Sequence, residues 1–296
     1  EGFKFEEEGN MEKIAFIGAG IMGKWMIRNL MRNGYEMTVY DVRSEAVEDL
    51  VEEGAFYRGS LADTVKKQDA VITMVTTPAV VEALYLGKGG IIENADEGTY
   101  LVDMTTTEPS LEKIIFQKAK ERGLHFMDAP VTGGDTGARD GILSILAGGE
   151  EEDCEACRKV LSCMGSNINY QGPIGSGQHT KMANQILLAG ILAGMAESVA
   201  YAKAHDLNTD AYYRAVSTGA AASRQLDING PKMLEGDFSA GFFIKHFVKD
   251  MRIAAKEADA ISLDLPVLKD ILHEYERLAD AGLNEAGMQA LLKYYE

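Results

Sequence analysis

Short apolar runs and helix-spaced segments alternate along the first half of the chain. Ile14-Ala15-Phe16-Ile17 is a compact apolar run, and residues 21–34 carry their apolar positions at helical spacing up to Gly34. Residues 36–41 (EMTVYD) are strand-like, 44–53 helix-like, and 69–75 (DAVITMV) and 99–104 (TYLVDM) are apolar and strand-like. A helix-like stretch follows at 109–122, and 124–131 (LHFMDAPV) repeats the strand form. Such alternation predicts a parallel sheet with helices on both faces. After about Tyr170 the pattern changes. A Gly/Pro-rich QGPIGSGQ stretch leads into a long helix predicted from near Gly177 to about His205, and the rest is helical in periodicity with no convincing strand. The expected organisation is a short extension at 1–10, an α/β domain over 11–173 and an all-α domain over 174–296.

Composition agrees with two globular domains: 296 residues, 46% hydrophobic and 25% charged. The net charge is −17, a field that repels phosphate backbones and argues against nucleic acid as a partner. Residues 174–296 hold 12 basic and 16 acidic groups and the extension carries −3, which leaves −10 on residues 11–173. Three cysteines make no disulfide scaffold and suit a reducing, cytoplasmic setting. The longest apolar run, Ile186 to Ala196, has 11 residues against the ~20 that cross a bilayer, so no membrane span is expected. Residues 1–10 lack the order of a signal peptide.

Gly18-Ala19-Gly20-Ile21-Met22-Gly23 is a GxGxxG that follows the first strand and opens the first helix, and Asp41 ends the next strand 18 residues after Gly23. That context is a dinucleotide-binding βαβ unit of the Rossmann type. Glycines permit the tight turn and close backbone approach, and the helix N-terminus offers amides to a pyrophosphate. Asp41 is expected to accept from the adenosine ribose hydroxyls, which favours NAD and leaves NADP possible. Arg43 reads as a solvated charge at a helix entry.

Three further segments bear on the chemistry: Asp103-Met104-Thr105-Thr106-Thr107-Glu108-Pro109, Asp128-Ala129-Pro130-Val131-Thr132-Gly133-Gly134 with the glycine-rich 141–149 behind it, and Gly175-Ser176-Gly177-Gln178-His179-Thr180-Lys181-Met182-Ala183-Asn184-Gln185. Together with GAGIMG they closely resemble the β-hydroxyacid dehydrogenase family, from Met11 to the C-terminus. The resemblance implies an NAD(P)-dependent oxidoreductase that interconverts a small β-hydroxyacid and its semialdehyde. By that resemblance Lys181 is the catalytic lysine, with Asn184 beside it, and Thr132, Gly133 and Gly134 hold the substrate carboxylate. Thr106 lies on the nicotinamide side, Lys249 is near cofactor and substrate, and Val75 and Thr76 line the cofactor, Thr76 replacing a common proline. Asn184-Gln185 is similar to tartronate semialdehyde reductases, with Gln185 at a substrate-binding position. Cys163-Met164-Gly165-Ser166-Asn167 is similar to 3-hydroxyisobutyrate dehydrogenases, the branch favoured here. A cleft between the domains is the implied active site, and the long helix is the implied contact in a homodimer or homotetramer.

The residues make chemical sense by themselves. Asn184 and Gln185 stand at i+3 and i+4 from Lys181 and share its helix face. Partial burial and a neighbouring cation such as Lys249 would lower a lysine from its reference value near ~10.4, so that it can exchange a proton with the substrate oxygen. Thr132 with two glycine amides suits a carboxylate. The small residues Ala189, Gly190, Ala193 and Gly194 suit close helix contact. Asp103 and Asp128, at strand ends, are expected to fix loops rather than catalyse. Cys154 and Cys157 form a CxxC without a second pair, and the five histidines show no ligand spacing, so no metal is expected. The rival reading is a non-catalytic nucleotide-binding module, against which the retained Lys181 argues.

Overall fold

A computed structural model of the chain describes residues 11–296, and the extension expected at 1–10 lies outside them. Strands β1 (Lys13–Ile17), β2 (Glu36–Tyr40), β3 (Phe56–Tyr57), β4 (Ala70–Thr73), β5 (Tyr100–Asp103) and β6 (His125–Asp128) pair in the order β3-β2-β1-β4-β5-β6, all parallel. Successive strand residues face opposite ways. Ile14, Phe16 and Ile72 pack with Met26, Ile27 and Leu30 of helix α1 (Ile21–Arg32), whereas Ala15, Ile17 and Val71 pack with Leu111 and Ile115 of helix α2 (Pro109–Glu121) on the other face. The chain runs outward to β3 and then returns to β4 on the far side of β1. That order reversal opens a crevice at the carboxyl ends of β1 and β4, where such sheets bind ligands.

Beyond β6 the sheet departs from the expected parallel pattern. The segment 124–131 breaks at Ala129-Pro130 into β6 and a separate β7 (Val131–Thr132), since proline offers no N–H to a ladder. β8 (Leu143–Gly148) runs antiparallel to both β6 and β7, and β9 (Gly165–Gly172) joins β8 in parallel. β9, of sequence GSNINYQG, is half exposed and polar, so no hydrophobic pattern marks it.

The chain divides by packing into one compact unit that ends at Lys181 and a second of Met182–Glu296. The division therefore falls inside helix α3 (Ser176–Ala204), a little beyond residue 173. The reason is local. A Cβ at Gly177 would lie 2.2 Å from the Leu146 carbonyl oxygen of β8 and 2.7 Å from Asp128 Oδ2 at the end of β6, so the first turn of α3 is pressed onto the sheet. In the second unit, Ala189, Leu192, Ala196 and Val199 of α3 enter a core with Phe247 and Met251 of helix α4 (Ile244–Ala260) and Ile271 and Tyr275 of helix α5 (Pro266–Leu278).

By length and composition α3 is apolar enough to cross a membrane, but this buried stripe makes it the core helix of the second unit. The small-residue stripe splits: Ala189 is buried in that core, while Gly190 and Gly194 face outward beside Leu187 and Tyr201, which are 67% and 66% exposed. Cys154 and Cys157 are buried, and burial pushes the Cys154 thiol up to about 12, so this CxxC is packing rather than a redox pair.

Because the space at Gly177 is bounded by backbone, Gly177→Ala should cost about 2 kcal/mol of stability. An unchanged midpoint in urea-induced unfolding would contradict the close approach of α3 to β8.

Candidate active site

The glycine loop and the segments at 75–76, 103–109 and 128–134 lie at the carboxyl ends of the parallel strands β1, β4, β5 and β6, whereas the third segment follows β9, which runs opposite to them. After β1, Gly18 adopts φ +103°, and a Cβ there would lie 2.1 Å from the Met74 carbonyl oxygen. Gly23 is equally constrained, its Cβ falling 2.0 Å from the Gly18 oxygen. Gly20 differs: it is the N-cap of α1, no side chain caps the helix there, and a Cβ would meet no protein atom within 4 Å. Uncapped amides at the order reversal of the sheet, with Ile21 and Met22 opening the helix, fit a pyrophosphate.

Asp41, at the end of β2, accepts from the Ala19 amide at 2.9 Å and from the Arg43 amide at 3.0 Å. It thus fastens the glycine loop to the neighbouring strand as well as standing where a ribose acceptor is expected. Arg43 is exposed and 3.7 Å from the same carboxylate. After β4, the Val75 amide donates to Thr105 Oγ1 at 3.0 Å, so Thr105, which is buried, ties the β4 loop to the β5 loop. Thr76 is exposed and Thr106 half-buried.

Lys181 is buried, and its Nζ donates to the Val131 carbonyl oxygen at 2.8 Å. Val131 immediately precedes Thr132, Gly133 and Gly134. The latter two adopt φ +135° and +67°, a reversal that glycine alone makes cheaply and that leaves both exposed. The proposed acid/base group and the proposed carboxylate loop are therefore adjacent in the first unit.

In the second unit, Asn184 Nδ2 donates to Gln185 Oε1 at 2.8 Å, and Gln185 Nε2 donates to Asp250 Oδ2 at 2.6 Å. Lys249 Nζ sits 3.0 Å from Asp250 Oδ1. Asp250, which sequence reasoning missed, thus joins Gln185 and Lys249. Its signal was a charge set in the apolar stripe Phe247–Met251–Ala254 of α4, all buried with it.

Behind Lys181 lies a group of buried acids. Asp128 accepts from the Gly175 amide at 2.8 Å and the Gln178 amide at 2.7 Å, and so caps the start of α3. Asp103 accepts from Thr73 Oγ1 at 2.6 Å and the Thr105 amide at 3.0 Å. Both aspartates fix loops, as expected. Glu112 of α2 was missed, although it stands on the buried stripe it forms with Ile115 and Ala119. Desolvation raises all three carboxyls: Asp128 is pushed up to about 7, Asp103 is raised, and Glu112, also opposed by the charges of Asp103 and Asp128, lies well above the usual range.

Comparison with known proteins bears on the family and the fold. Residues 13–172 match the family described as the NAD binding domain of 6-phosphogluconate dehydrogenase, and residues 175–295 match that described as NAD-binding of NADP-dependent 3-hydroxyisobutyrate dehydrogenase. The chain is 46% identical to an uncharacterized oxidoreductase of Bacillus subtilis over 95% of its own length and 98% of that protein. It is 34% identical to the NAD-dependent L-serine dehydrogenase of Pseudomonas aeruginosa over 97% and 98% of the two chains. Its structure is similar to that of Mycobacterium tuberculosis 3-hydroxyisobutyrate dehydrogenase solved with L-serine, with a TM-score of 0.89 and 26% identity over 96% and 99% of the chains.

The buried acids give stability a pH signature. A carboxyl raised by folding holds its proton in the native state where the unfolded chain has lost it, so its contribution is complete below the unfolded value and declines as pH rises through the native one. Between pH ~5 and ~7, the range set by Asp128 and covered by the more strongly raised Glu112, a group of this kind lowers the unfolding free energy by up to about 1.4 kcal/mol per pH unit. Replacing Glu112 with Gln should remove one such contribution, and urea titrations of the two proteins that stay parallel across this range would refute it.

Proposed function

Because the chain belongs to the β-hydroxyacid dehydrogenase family and is an NAD(P)-dependent oxidoreductase of CH–OH groups, we propose that it interconverts a small β-hydroxyacid and its semialdehyde with Lys181 as general acid/base. The observation that carries this reading is the buried Lys181 amino group held on the Val131 carbonyl, one residue before Thr132-Gly133-Gly134. We place the substrate carboxylate on Thr132 and the two glycine amides and its β-hydroxyl at Nζ, since Val131, which Nζ contacts, adjoins Thr132. Bound NAD(P) supplies the hydride acceptor at its nicotinamide. In the oxidative direction the neutral Lys181 amine accepts the hydroxyl proton while the hydride passes to the nicotinamide, and in reduction the resulting ammonium returns that proton to the carbonyl oxygen. Asn184, held by Gln185, orients the substrate oxygen, and Asp250 fixes Gln185 and Lys249.

The substrate class is 3-hydroxyisobutyrate or L-serine, as the names of the similar proteins suggest. D-glycerate, the product expected of a tartronate semialdehyde reductase, is the alternative that Asn184-Gln185 recommends. Asp41 favours NAD over NADP, since a carboxylate there repels a 2′-phosphate. The free thiols of Cys154, Cys157 and Cys163 suit the reducing, cytoplasmic setting expected of this chain.

The outward stripe of α3, with Leu187, Gly190, Gly194 and Tyr201, is the surface we assign to a second copy in a homodimer or homotetramer. Light scattering should then find a smaller species for Leu187→Glu than for the wild type, and an unchanged mass would refute that surface. For the chemistry, Lys181→Met should lose at least about 10²-fold in kcat on the best of the three acids with NAD, while the NAD dissociation constant changes little. Turnover near that of the wild type would refute the role of Lys181.

A further inference from the structure

Gln178 stands one helical turn before Lys181, on the same face of α3, with its side chain buried. Its amide group is committed to the β5 loop. Nε2 donates to the Thr105 carbonyl oxygen at 2.7 Å and to Glu112 Oε1 at 2.9 Å, and Oε1 accepts from the Thr107 amide at 3.1 Å. The two backbone partners flank Thr106. The nearest replacements fit this role less well. Glutamate would set a second carboxylate against Glu112, methionine offers no hydrogen bond, and asparagine is one methylene short.

The anchor beneath Gln178 is also fixed. Glu112 Oε2 and Asp103 Oδ2 are buried and meet no N–H or O–H donor among the described residues. Burial and the charge of Asp103 both favour the neutral form of Glu112. A neutral Glu112 keeps Oε1 as an acceptor for Gln178 Nε2. Asp103 is held in turn by a chain of hydroxyls, Tyr85 donating to Thr73 at 2.8 Å and Thr73 to Asp103 at 2.6 Å. Buried polar groups of this kind are a weak source of stability compared with apolar packing, and their better attested use is to specify one arrangement.

We propose that Gln178 is a positioning residue, a strut that sets the spacing between the Thr106 loop and Lys181. It rests on the reading of Lys181 as the proton-transfer group and of Thr106 as the residue on the nicotinamide side. The strut then holds the hydride side and the proton side of one reaction in register. A cross-link that served stability alone would lower the melting temperature of its variants and leave turnover by the folded protein intact.

The test compares Gln178→Met with wild type and with Lys181→Met, using NAD and 3-hydroxyisobutyrate or L-serine, whichever turns over faster. Gln178→Asn serves as the milder variant where Met prevents folding. In the folded variant kcat should fall by about 10²-fold, the cost of misplacing reacting groups by about 1 Å, with KM and NAD affinity little changed. The deuterium isotope effect with substrate labelled at the hydroxymethyl carbon should rise as hydride transfer becomes limiting. Loss of turnover in Lys181→Met with wild-type kcat in folded Gln178→Met overturns the strut alone. Turnover surviving in Lys181→Met overturns the functional reading and the strut with it. Amide hydrogen exchange reads the strut without turnover: protection should fall together at 105–108 and 178–182, and a loss confined to one of these segments overturns the proposal.

Discussion

Asp128 closes a buried strand and takes onto its two oxygens the amides of Gly175 and Gln178 from the start of the long helix. Much of the site's geometry depends on this cap. A carboxylate at a helix N-terminus is favoured by the amides and the dipole that meet there. Burial opposes the charge strongly enough to bring the group to about 7. The cap also dictates the residues around it. A Cβ at Gly148 would fall 2.5 Å from Asp128 Oδ1, and one at Gly177 2.7 Å from Oδ2. With glycine at both places the helix meets the sheet closely. Lys181, one turn beyond Gln178, then reaches the Val131 carbonyl beside the Thr132 loop. Gly148, behind the second sequence motif, and Gly177 of the third are therefore demanded by the protein's own packing.

The sequence made the order of elements legible because parallel strands are buried on both faces and read as apolar runs. β1, β2, β4, β5 and β6 all stood out in this way, as did the extent of α3 from its Gly/Pro entry to its end near His205. β9 was not legible, because a half-exposed, polar strand carries neither an apolar run nor clean alternation. The turn at Ala129-Pro130 was hidden inside one apolar stretch, although its proline was the available clue. For the site, motifs identified residues that face a ligand or a loop. They could not identify Gln178, Glu112 and Asp250, whose partners lie 66, 66 and 65 residues away in the chain. Polar residues that serve other polar residues have no periodicity of their own. The clue to Glu112 and Asp250 was an acid on an apolar helix stripe, and it points to burial without naming a partner.

The glycine loop after β1 shows how the structure divides a motif that the sequence presents as one. Gly18 and Gly23 are required by contacts within the protein, each Cβ meeting a backbone oxygen at about 2 Å. Gly20 meets no such limit, and it caps a helix whose first amides lack a side-chain acceptor. A residue that the fold would tolerate as larger, at a place where the fold leaves donors uncapped, is what a bound pyrophosphate requires.

The formal charge of −17 has to be reconsidered in the same light. It counts Asp103, Glu112 and Asp128 as ionised, yet burial shifts all three toward their neutral forms, and Glu112 furthest. These acids lie behind Lys181 and beside the loops expected to hold a carboxylate and a dinucleotide. Three full negative charges in a low dielectric there would oppose anion binding far more than the same charges at the surface, where solvent and salt screen them. A proton favoured on Glu112 by burial removes part of that opposition and keeps the hydrogen bond that Glu112 provides to Gln178. The buried acids can thus fix the geometry of an anion-binding site without imposing their full charge on it.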